Sequence, residues 1–274
     1  MKVSDRPAAL ILAGSRHTGD PVAIAGGVRR KAFVPIAGRT MLEHVVDALI
    51  MSDRVGEILI SCEADIDLVR EVPGLAPLLA EGRVRPVPSA EGPSASALRI
   101  YETLEGGEGL FLTTADHPLL TGEIVREFLD RFAASGADVG VGLAPLDLVM
   151  AAYPCNRRTA LRFRDGAFSG CNLFAFRGGE RGKAAIALWR RIEADRKRPL
   201  RMAIRLGPAI LLLHVLGLLS LRGAFERIAR RLQITATPIV IANPDAATDV
   251  DSLEDLALVR GLLDRQPAPP DQMR

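Results

Sequence analysis

Glycines, basic residues and isolated acids follow short apolar runs at three places in this 274-residue sequence. The first place is a glycine loop with cations beyond it, made of Leu12, Ala13, Gly14, Ser15 and Arg16, further glycines up to Gly27, and then Arg29, Arg30 and Lys31. A glycine loop that leaves a buried strand lets backbone N–H groups approach phosphate oxygens, and nearby cations offset the phosphate charge. The loop matches neither the P-loop pattern nor the dinucleotide fingerprint, so a solvated surface loop is an equal alternative.

The second place is residues 113–118, where Asp116 follows an apolar run. An acid at the C-terminal end of a buried strand lies on the edge at which open α/β sheets bind ligands. Mg²⁺ commonly takes one or two carboxylates together with phosphate oxygens of the substrate, so Asp116 is a suitable ligand for it. We favour this role over a helix cap. We interpret His117, beside Pro118, as a turn residue and not as a base.

The third place is residues 248–252, which carry Asp249 and Asp251 just before a predicted helix. Asp251 could complete a metal site with Asp116. An acid at a helix start is also an ordinary N-cap, and either Asp251 or Ser252 could accept from the first backbone N–H groups. Which of Asp249 and Asp251 would be the second metal ligand stays open at this point.

The elements that must position these residues alternate between strands and helices. Apolar runs predict strands and helical spacing predicts helices, with strands at 8–13, 57–62, 83–87, 109–114 and 137–143, and helices at 41–51, 64–71, 94–104 and 122–134. This order predicts an α/β fold with a Rossmann-like, doubly wound, mostly parallel sheet.

The pattern changes after residue 143. A turn signal at 164–166 between the runs 160–164 and 167–176 predicts a β-hairpin. A helical insert is predicted at 182–232, followed by a strand at 234–241, a capped helix at 252–263 and a loose Pro-rich tail at 266–274. We expect one domain over residues 1–274.

Composition narrows the class of protein. The net charge is +2, from 35 Lys and Arg against 33 Asp and Glu, without the basic excess of a nucleic-acid-binding domain. The cysteines Cys62, Cys155 and Cys171 are odd in number and far apart, which argues against a disulfide framework or a cysteine zinc site and favours the cytoplasm. The apolar stretch 206–221 is shorter than the ~20 residues of a spanning helix and is interrupted by Pro208.

In their order along the chain, the three places resemble the NTP transferases of glycosyltransferase-A-like fold, a group that includes the molybdenum-cofactor guanylyl- and cytidylyltransferases. The residues that carry the resemblance are Leu12, Ala13 and Gly14; Lys31, Pro35, Gly38, Leu42 and His44; Asp116 and Pro118; and Asp249, Asp251, Glu254, Asp255 and Leu256.

The resemblance implies a Mg²⁺-dependent transfer of NMP from an NTP, with CTP or GTP favoured, to a small phosphorylated acceptor, with release of pyrophosphate. It implies nucleotide-binding roles for Leu12, Ala13, Gly14, Ser15, Arg16, Lys31, Ser94 and Ser96, metal binding by Asp116 and Asp251, and catalytic roles for Lys31 and Asp116. Asn172 would face the acceptor, or would stabilise a turn.

Alternatives to this function are a glycosyltransferase on the same fold and a non-catalytic nucleotide-binding protein. A glycosyltransferase would have a D-x-D pair where this chain reads Ala115-Asp116-His117, with one acid. The insert 182–232 would cover the acceptor pocket. A lipid-linked acceptor, or a weak contact of residues 201–231 with a membrane surface, is the alternative interpretation of its arginines. A nucleic-acid partner is not expected.

Overall fold

Most of the predicted strands and helices are present in the structure, which is a computed structural model that describes residues 6–14, 19–104, 107–154, 158–195, 213, 215–230 and 233–265. The helix predicted at 64–71 is shorter than expected and begins at Leu68, because Asp67 caps it there. The strands are β1 (Ala8–Leu12), β2 (Pro35–Ile36), β3 (Arg39–Thr40), β4 (Ile58–Cys62), β5 (Val84–Pro88), β6 (Leu110–Thr114), β7 (Val139–Pro145), β8 (Leu161–Phe163), β9 (Gly166–Phe176) and β10 (Ala236–Val240).

Helices connect most of these strands. They are α1 (Pro21–Ala25), α2 (Met41–Ser52), α3 (Leu68–Glu71), α4 (Ala76–Ala80), α5 (Pro93–Tyr101), α6 (Gly122–Ser135), α7 (Leu146–Ala152), α8 (Glu180–Asp195), α9 (Leu221–Arg230) and α10 (Leu253–Leu263). Short 3₁₀ helices occupy Lys31–Phe33, Pro73–Leu75 and Pro244–Ala247.

One eight-stranded sheet organises the fold, in the order β10-β7-β9-β6-β1-β4-β5, with β8 paired to β9 outside this path. Strand β1 lies between β4 and β6 and is parallel to both. Strand β9 is antiparallel to its neighbours β6 and β7. The sheet is therefore mostly parallel, as predicted, and has the glycosyltransferase-A-like Rossmann-type architecture.

The predicted hairpin is present as β8 and β9, but its second strand is also a central strand of the sheet. The burial of β9 explains this position. Cys171, Leu173 and Ala175 join the apolar cluster on one face of the sheet, whereas Phe176 joins the cluster on the other face. A strand that is apolar on both faces is stable only where both faces are covered.

Helices cover both faces of the sheet. On one face, Ile11 of β1 and Phe111 of β6 pack with Phe128 of α6 and with residues of α2. On the opposite face, Leu10 of β1 packs in a cluster with residues of α5 and α8, including Trp189, whose ring stacks on Phe174 at a centroid distance of 5.6 Å. Adjacent residues of β1 thus pack in the apolar clusters on opposite faces of the sheet, which explains why its sequence is a continuous apolar run.

The predicted helical insert contains α8 and α9. Residues 201–212, which include the beginning of the apolar stretch 206–221, and the predicted loose tail 266–274 lie outside the described residues. Within the ranges that the structure describes, no helix combines the length and the apolar character that crossing a membrane requires.

Candidate active site

The three places singled out in the sequence meet at the C-terminal edge of the parallel strands. Strands β1 and β6 are adjacent and in register, with Leu12 opposite Thr114. The Ala115 N–H donates to the Leu12 carbonyl oxygen at 3.0 Å, so the glycine loop and Asp116 leave the sheet side by side. The Val250 N–H donates to the Asp116 carbonyl oxygen at 2.8 Å. This hydrogen bond brings the segment after β10 to the same edge.

Lys31 lies between two of the predicted acids. Its Nζ is 2.6 Å from Oδ2 of Asp116 and 2.9 Å from Oδ1 of Asp251. The 3₁₀ helix Lys31–Phe33 holds it there, because Ala32 and Phe33 are buried in the core below α2. The ammonium group is therefore fixed at the sheet edge by the packing of its own neighbours.

The pKa values of this pair follow from burial and from the opposite charges. Burial alone would raise the pKa of Asp116, yet the Lys31 ammonium holds it below its ordinary value. Burial alone would lower the pKa of Lys31, but the carboxylates of Asp116 and Asp251 raise it above its ordinary value. Both groups are therefore charged at neutral pH.

Asp251 takes the role of an ion-pair partner and not that of a helix cap. Its side chain is 67% exposed and contacts Lys31. The cap of α10 is Ser252, whose Oγ accepts from the Asp255 N–H, and Asp255 accepts in return from the Ser252 N–H in a capping box. The structure therefore decides between the two caps that the sequence left open and leaves the Asp251 carboxylate facing the site.

Asp249 points away from Lys31 into a polar network. Its Oδ1 pairs with the Arg158 guanidinium, and its Oδ2 accepts from Nδ2 of Asn172 at 2.8 Å. Burial, followed by the nearby charges of Asp116 and Asp251, raises the pKa of Asp249 to about 7. Asp249 is thus bonded to the residues that surround the candidate site. The exposed carboxylate opposite Asp116 is that of Asp251.

We expect this raised pKa to appear in the pH dependence of stability. An unfolded aspartate has a pKa of about 3.9, so the folded chain holds the Asp249 proton more tightly, and Asp249 lowers stability as the pH rises from about 4 to 7. Asp249→Asn should remove this contribution. The difference in unfolding temperature, variant minus parent, should grow across that interval and level off above it. A difference that is independent of pH would contradict the raised pKa.

Asn172 has a left-handed backbone, with φ of 51°. It lies in β9 where the pairing with β7 shifts register between Val141 and Leu143. Such a bulge re-aims a side chain, and here it turns the Asn172 amide towards Asp249. A contact of Asn172 with an acceptor stays a prediction.

Gly14, Ser94 and Ser96, which are predicted to bind the nucleotide, lie on the side of Asp116 towards β5, opposite the side of β9. A Cβ placed on Gly14 would be 3.4 Å from Ser89 Cβ, so the glycine loop passes close to the end of β5. Ser94 and Ser96, in the first turns of α5, are both buried. The Ser94 hydroxyl donates to Glu193 of α8, and the Ser96 hydroxyl accepts from the Ala90 N–H at 2.9 Å. Their contact with a nucleotide stays a prediction.

The cations of the glycine loop differ in their partners. Arg30 Nε donates to Glu63 at 3.1 Å, and Arg29 donates to Asp65 at 3.1 Å, so both contact the loop after β4. Ser15 and Arg16 lie outside the described residues. Of the cations from this loop that the structure describes, Lys31 is the one placed against Asp116 and Asp251.

His117 lies in the turn after β6, as predicted. Its ring is buried, and Nε2 donates to the Asp245 carbonyl oxygen at 2.9 Å. Burial lowers the pKa of His117. The ring therefore braces the turn that carries Asp116.

Arg158 is a further residue of the site, and the sequence did not predict it. Its side chain is only 6% exposed and makes three polar contacts at the site. A single arginine in a polar connection between α7 and β8 has no spacing signal. Only the tertiary fold brings it to Asp249.

Known proteins share this architecture. The chain is 33% identical over 134 residues to a 2-C-methyl-D-erythritol 4-phosphate cytidylyltransferase of Deinococcus radiodurans, an alignment that covers 49% of this chain and 50% of that protein. The chain spans about half the length of the curated relatives it matches.

Among solved structures, a hypothetical transferase from Thermus thermophilus superposes with a TM-score of 0.76 at 34% identity, over 92% of this chain and 99% of that one. The 4-diphosphocytidyl-2C-methyl-D-erythritol synthase of Anaerococcus prevotii shares the fold, with a TM-score of 0.57 at 11% identity, over 96% of this chain and 97% of that one. The family model of the MobA-like NTP transferase domain matches residues 9–164, which include the glycine loop, Lys31 and Asp116. The chain belongs to the family of MobA-like NTP transferase domains.

Proposed function

We propose that this protein is a nucleotidyltransferase that transfers NMP from an NTP to a small phosphorylated acceptor, with Mg²⁺ as its metal and pyrophosphate as the second product. The observation that carries the proposal is the placement of Lys31 between Asp116 and Asp251, beside a glycine loop at the C-terminal edge of the sheet. Cytidylyltransferases are among the relatives, which makes CTP the first donor to test and GTP the second.

The residues at the site fit a Mg²⁺ ion that arrives with a triphosphate. Oδ1 of Asp116 is buried and has no hydrogen-bond partner among the described residues. Asp251 offers a second, exposed carboxylate. Over the same residues, no group of three or more His, Cys, Asp or Glu side chains is arranged to hold a metal. Two carboxylates without a third protein ligand suit Mg²⁺, which commonly completes its shell with water and substrate phosphate.

Asp116 and Asp251 would hold the ion. When bound, Mg²⁺ would offset charge on the phosphate oxygens. Lys31 would leave its ion pairs to contact the triphosphate and stabilise the negative charge that develops at the α-phosphate. The backbone of Leu12, Ala13 and Gly14, with Ser15 and Arg16, would wrap the triphosphate, and Ser94 and Ser96 would lie near the base and ribose.

The reaction requires in-line positioning more than acid–base chemistry. An oxygen of the acceptor phosphate attacks the α-phosphorus and forms the new P–O bond. The bond from the α-phosphorus to the bridging oxygen of the β-phosphate breaks, and its electron pair leaves with pyrophosphate. The attacking oxygen is already anionic, so no proton must be removed. This suits a site in which the buried His117 ring is bonded to a backbone carbonyl.

Asn172 and the insert 182–232 are proposed to face the acceptor. Sugar phosphates, phospho-alcohols and pterin-type phosphates are the classes to test. The proposal includes neither a lipid-linked acceptor nor a membrane contact of residues 201–231, because the names of the relatives support neither.

We expect pyrophosphate release when the protein is incubated with Mg²⁺, one NTP at a time and a pool of phosphorylated metabolites from these classes. Release should occur with one NTP, most readily CTP, and should stop when either the acceptor pool or Mg²⁺ is omitted. The acceptor consumed, identified by mass spectrometry, would name the substrate.

Two other outcomes would replace the proposal. Release of a nucleoside diphosphate from nucleotide-sugars, without pyrophosphate from NTPs, would indicate a glycosyltransferase. Thermal stabilisation by an NTP without turnover, across the whole pool, would indicate a nucleotide-binding protein without catalysis.

A further inference from the structure

Arg158 contacts both ends of the segment that carries Asp251. Its guanidinium bonds to the Asp249 carboxylate, to the Asp249 carbonyl oxygen at 2.7 Å and to Oδ1 of Asp255 at 3.2 Å. The planar guanidinium presents several donors in a fixed arrangement, so one side chain can bridge acceptors on different residues. Arg158 thereby ties residue 249 to residue 255.

Asp255 extends this connection to Asp251 itself. Its Oδ2 accepts from the Asp251 N–H at 3.1 Å, from the Ser252 N–H at 2.9 Å and from the Ser252 hydroxyl at 2.8 Å. The Arg158 guanidinium thus holds the carboxylate that holds the Asp251 backbone.

Two further contacts fix the same segment from other directions. The Val250 N–H donates to the Asp116 carbonyl oxygen at 2.8 Å, and Asn172 Nδ2 donates to the remaining oxygen of Asp249 at 2.8 Å. Residues on both sides of Asp251 are therefore anchored, whereas its carboxylate extends towards Lys31.

We propose that Arg158 is a positioning residue, which with Asn172 holds segment 249–255 so that the Asp251 carboxylate stays opposite Asp116. The inferred effect on metal binding rests on the proposed function. The inferred effect on the position of segment 249–255 does not. Arg158 touches neither the metal nor the substrate in this scheme. It acts through Asp249 and Asp255, in the way that outer partners orient metal ligands.

The test measures Mn²⁺ affinity by electron paramagnetic resonance in the presence of a non-hydrolysable CTP analogue, without acceptor. Arg158→Lys should weaken Mn²⁺ binding about 10- to 100-fold, since a single ammonium nitrogen cannot occupy the positions of both Nη1 and Nη2, from which the guanidinium contacts Asp249 and Asp255. CTP-analogue binding without metal should change little. The control is Arg54→Lys, because Arg54 pairs with Asp130 on the surface, away from the site. Unchanged Mn²⁺ affinity in folded Arg158→Lys protein would overturn the proposal.

Asn172→Gly provides a second variant in case the buried Arg158 cannot be replaced without unfolding. Glycine adopts a φ of 51° without strain, so the strand should keep its conformation while the bond to Asp249 is lost. Mn²⁺ affinity should fall in this variant as well, by a smaller factor. Unchanged affinity in Asn172→Gly, with Arg158→Lys unfolded, would equally overturn the proposal.

Hydrogen exchange separates this proposal from the proposed function. The backbone amides of residues 250–252 should exchange faster in Arg158→Lys or Asn172→Gly than in the parent protein, whether or not any NTP binds. Faster exchange there, combined with no Mn²⁺-dependent binding of an analogue of any of the four NTPs by the parent protein, would keep the positioning role of Arg158 and reject the proposed function. Unaltered exchange at these amides would reject the positioning role of Arg158 and leave the proposed function untouched.

Discussion

Asp116→Asn is expected to lower the rate of pyrophosphate release by about 10³-fold or more. Asparagine has nearly the same shape but lacks the charge that pairs with Lys31 and would hold the metal. The loss should appear in kcat at saturating NTP and acceptor, because the proposed interaction would serve the transition state and not only substrate binding. Asp116→Ala should give the same loss of activity.

The fold should survive the asparagine substitution. Lys31 keeps Asp251 as a partner, and the backbone bond from Val250 to residue 116 does not involve the side chain. Thermal unfolding should therefore shift by only a few degrees. Asp130→Asn is the matched control, because it removes a surface carboxylate that pairs with Arg54, and it should keep full activity. An Asp116→Asn enzyme with near-parental kcat would show that this carboxylate is not the metal ligand.

The sequence predicts the part of the fold that depends on local pattern. The apolar runs before Gly14 and Asp116 are present as β1 and β6, because a strand that is covered on both faces is rich in apolar residues on both. The edge of the sheet that carries the candidate site could also be predicted, since residues that follow parallel strands all lie at the C-terminal edge of the sheet. The position of β9 between β6 and β7 could not, because a hairpin signal describes the turn and not the partners of the second strand.

The supporting residues of the site depend on contacts distant in sequence. Arg158 and Asp249 are 91 residues apart, and Asn172 and Asp249 are 77 residues apart. No periodicity links such positions. The choice between Asp249 and Asp251 was likewise beyond the sequence, because both acids precede α10 and only the fold shows that one is bonded to Arg158 while the other faces Lys31. Local pattern thus predicts where the candidate site lies, and tertiary packing decides which of the two acids faces Lys31 there.

Lys31→Met is expected to change two measurements in opposite directions. Turnover should fall by about 10²- to 10³-fold, because the cation that would stabilise the α-phosphate is lost. Mn²⁺ binding in the absence of nucleotide should tighten by about tenfold or more, because a positive charge would leave the space between two carboxylates. In the structure the Lys31 ammonium lies 2.6 Å from Asp116 and 2.9 Å from Asp251. Asp116 and Asp251 would hold a divalent ion beside or in the space that this ammonium group occupies, so the two cations would compete for the same carboxylates.

This pair of results would distinguish a cation that competes with the metal from one that only stabilises the fold. Arg85→Met is the control, because Arg85 makes an exposed ion pair with Glu57 outside the site and outside the insert, and it should alter neither measurement. Weaker or unchanged Mn²⁺ binding in Lys31→Met would mean that the ammonium group does not occupy the metal position. Tighter binding would mean that in the parent protein Lys31 disfavours binding of the free ion, as expected of a cation that is released from Asp116 and Asp251 only when phosphate oxygens offer it new partners.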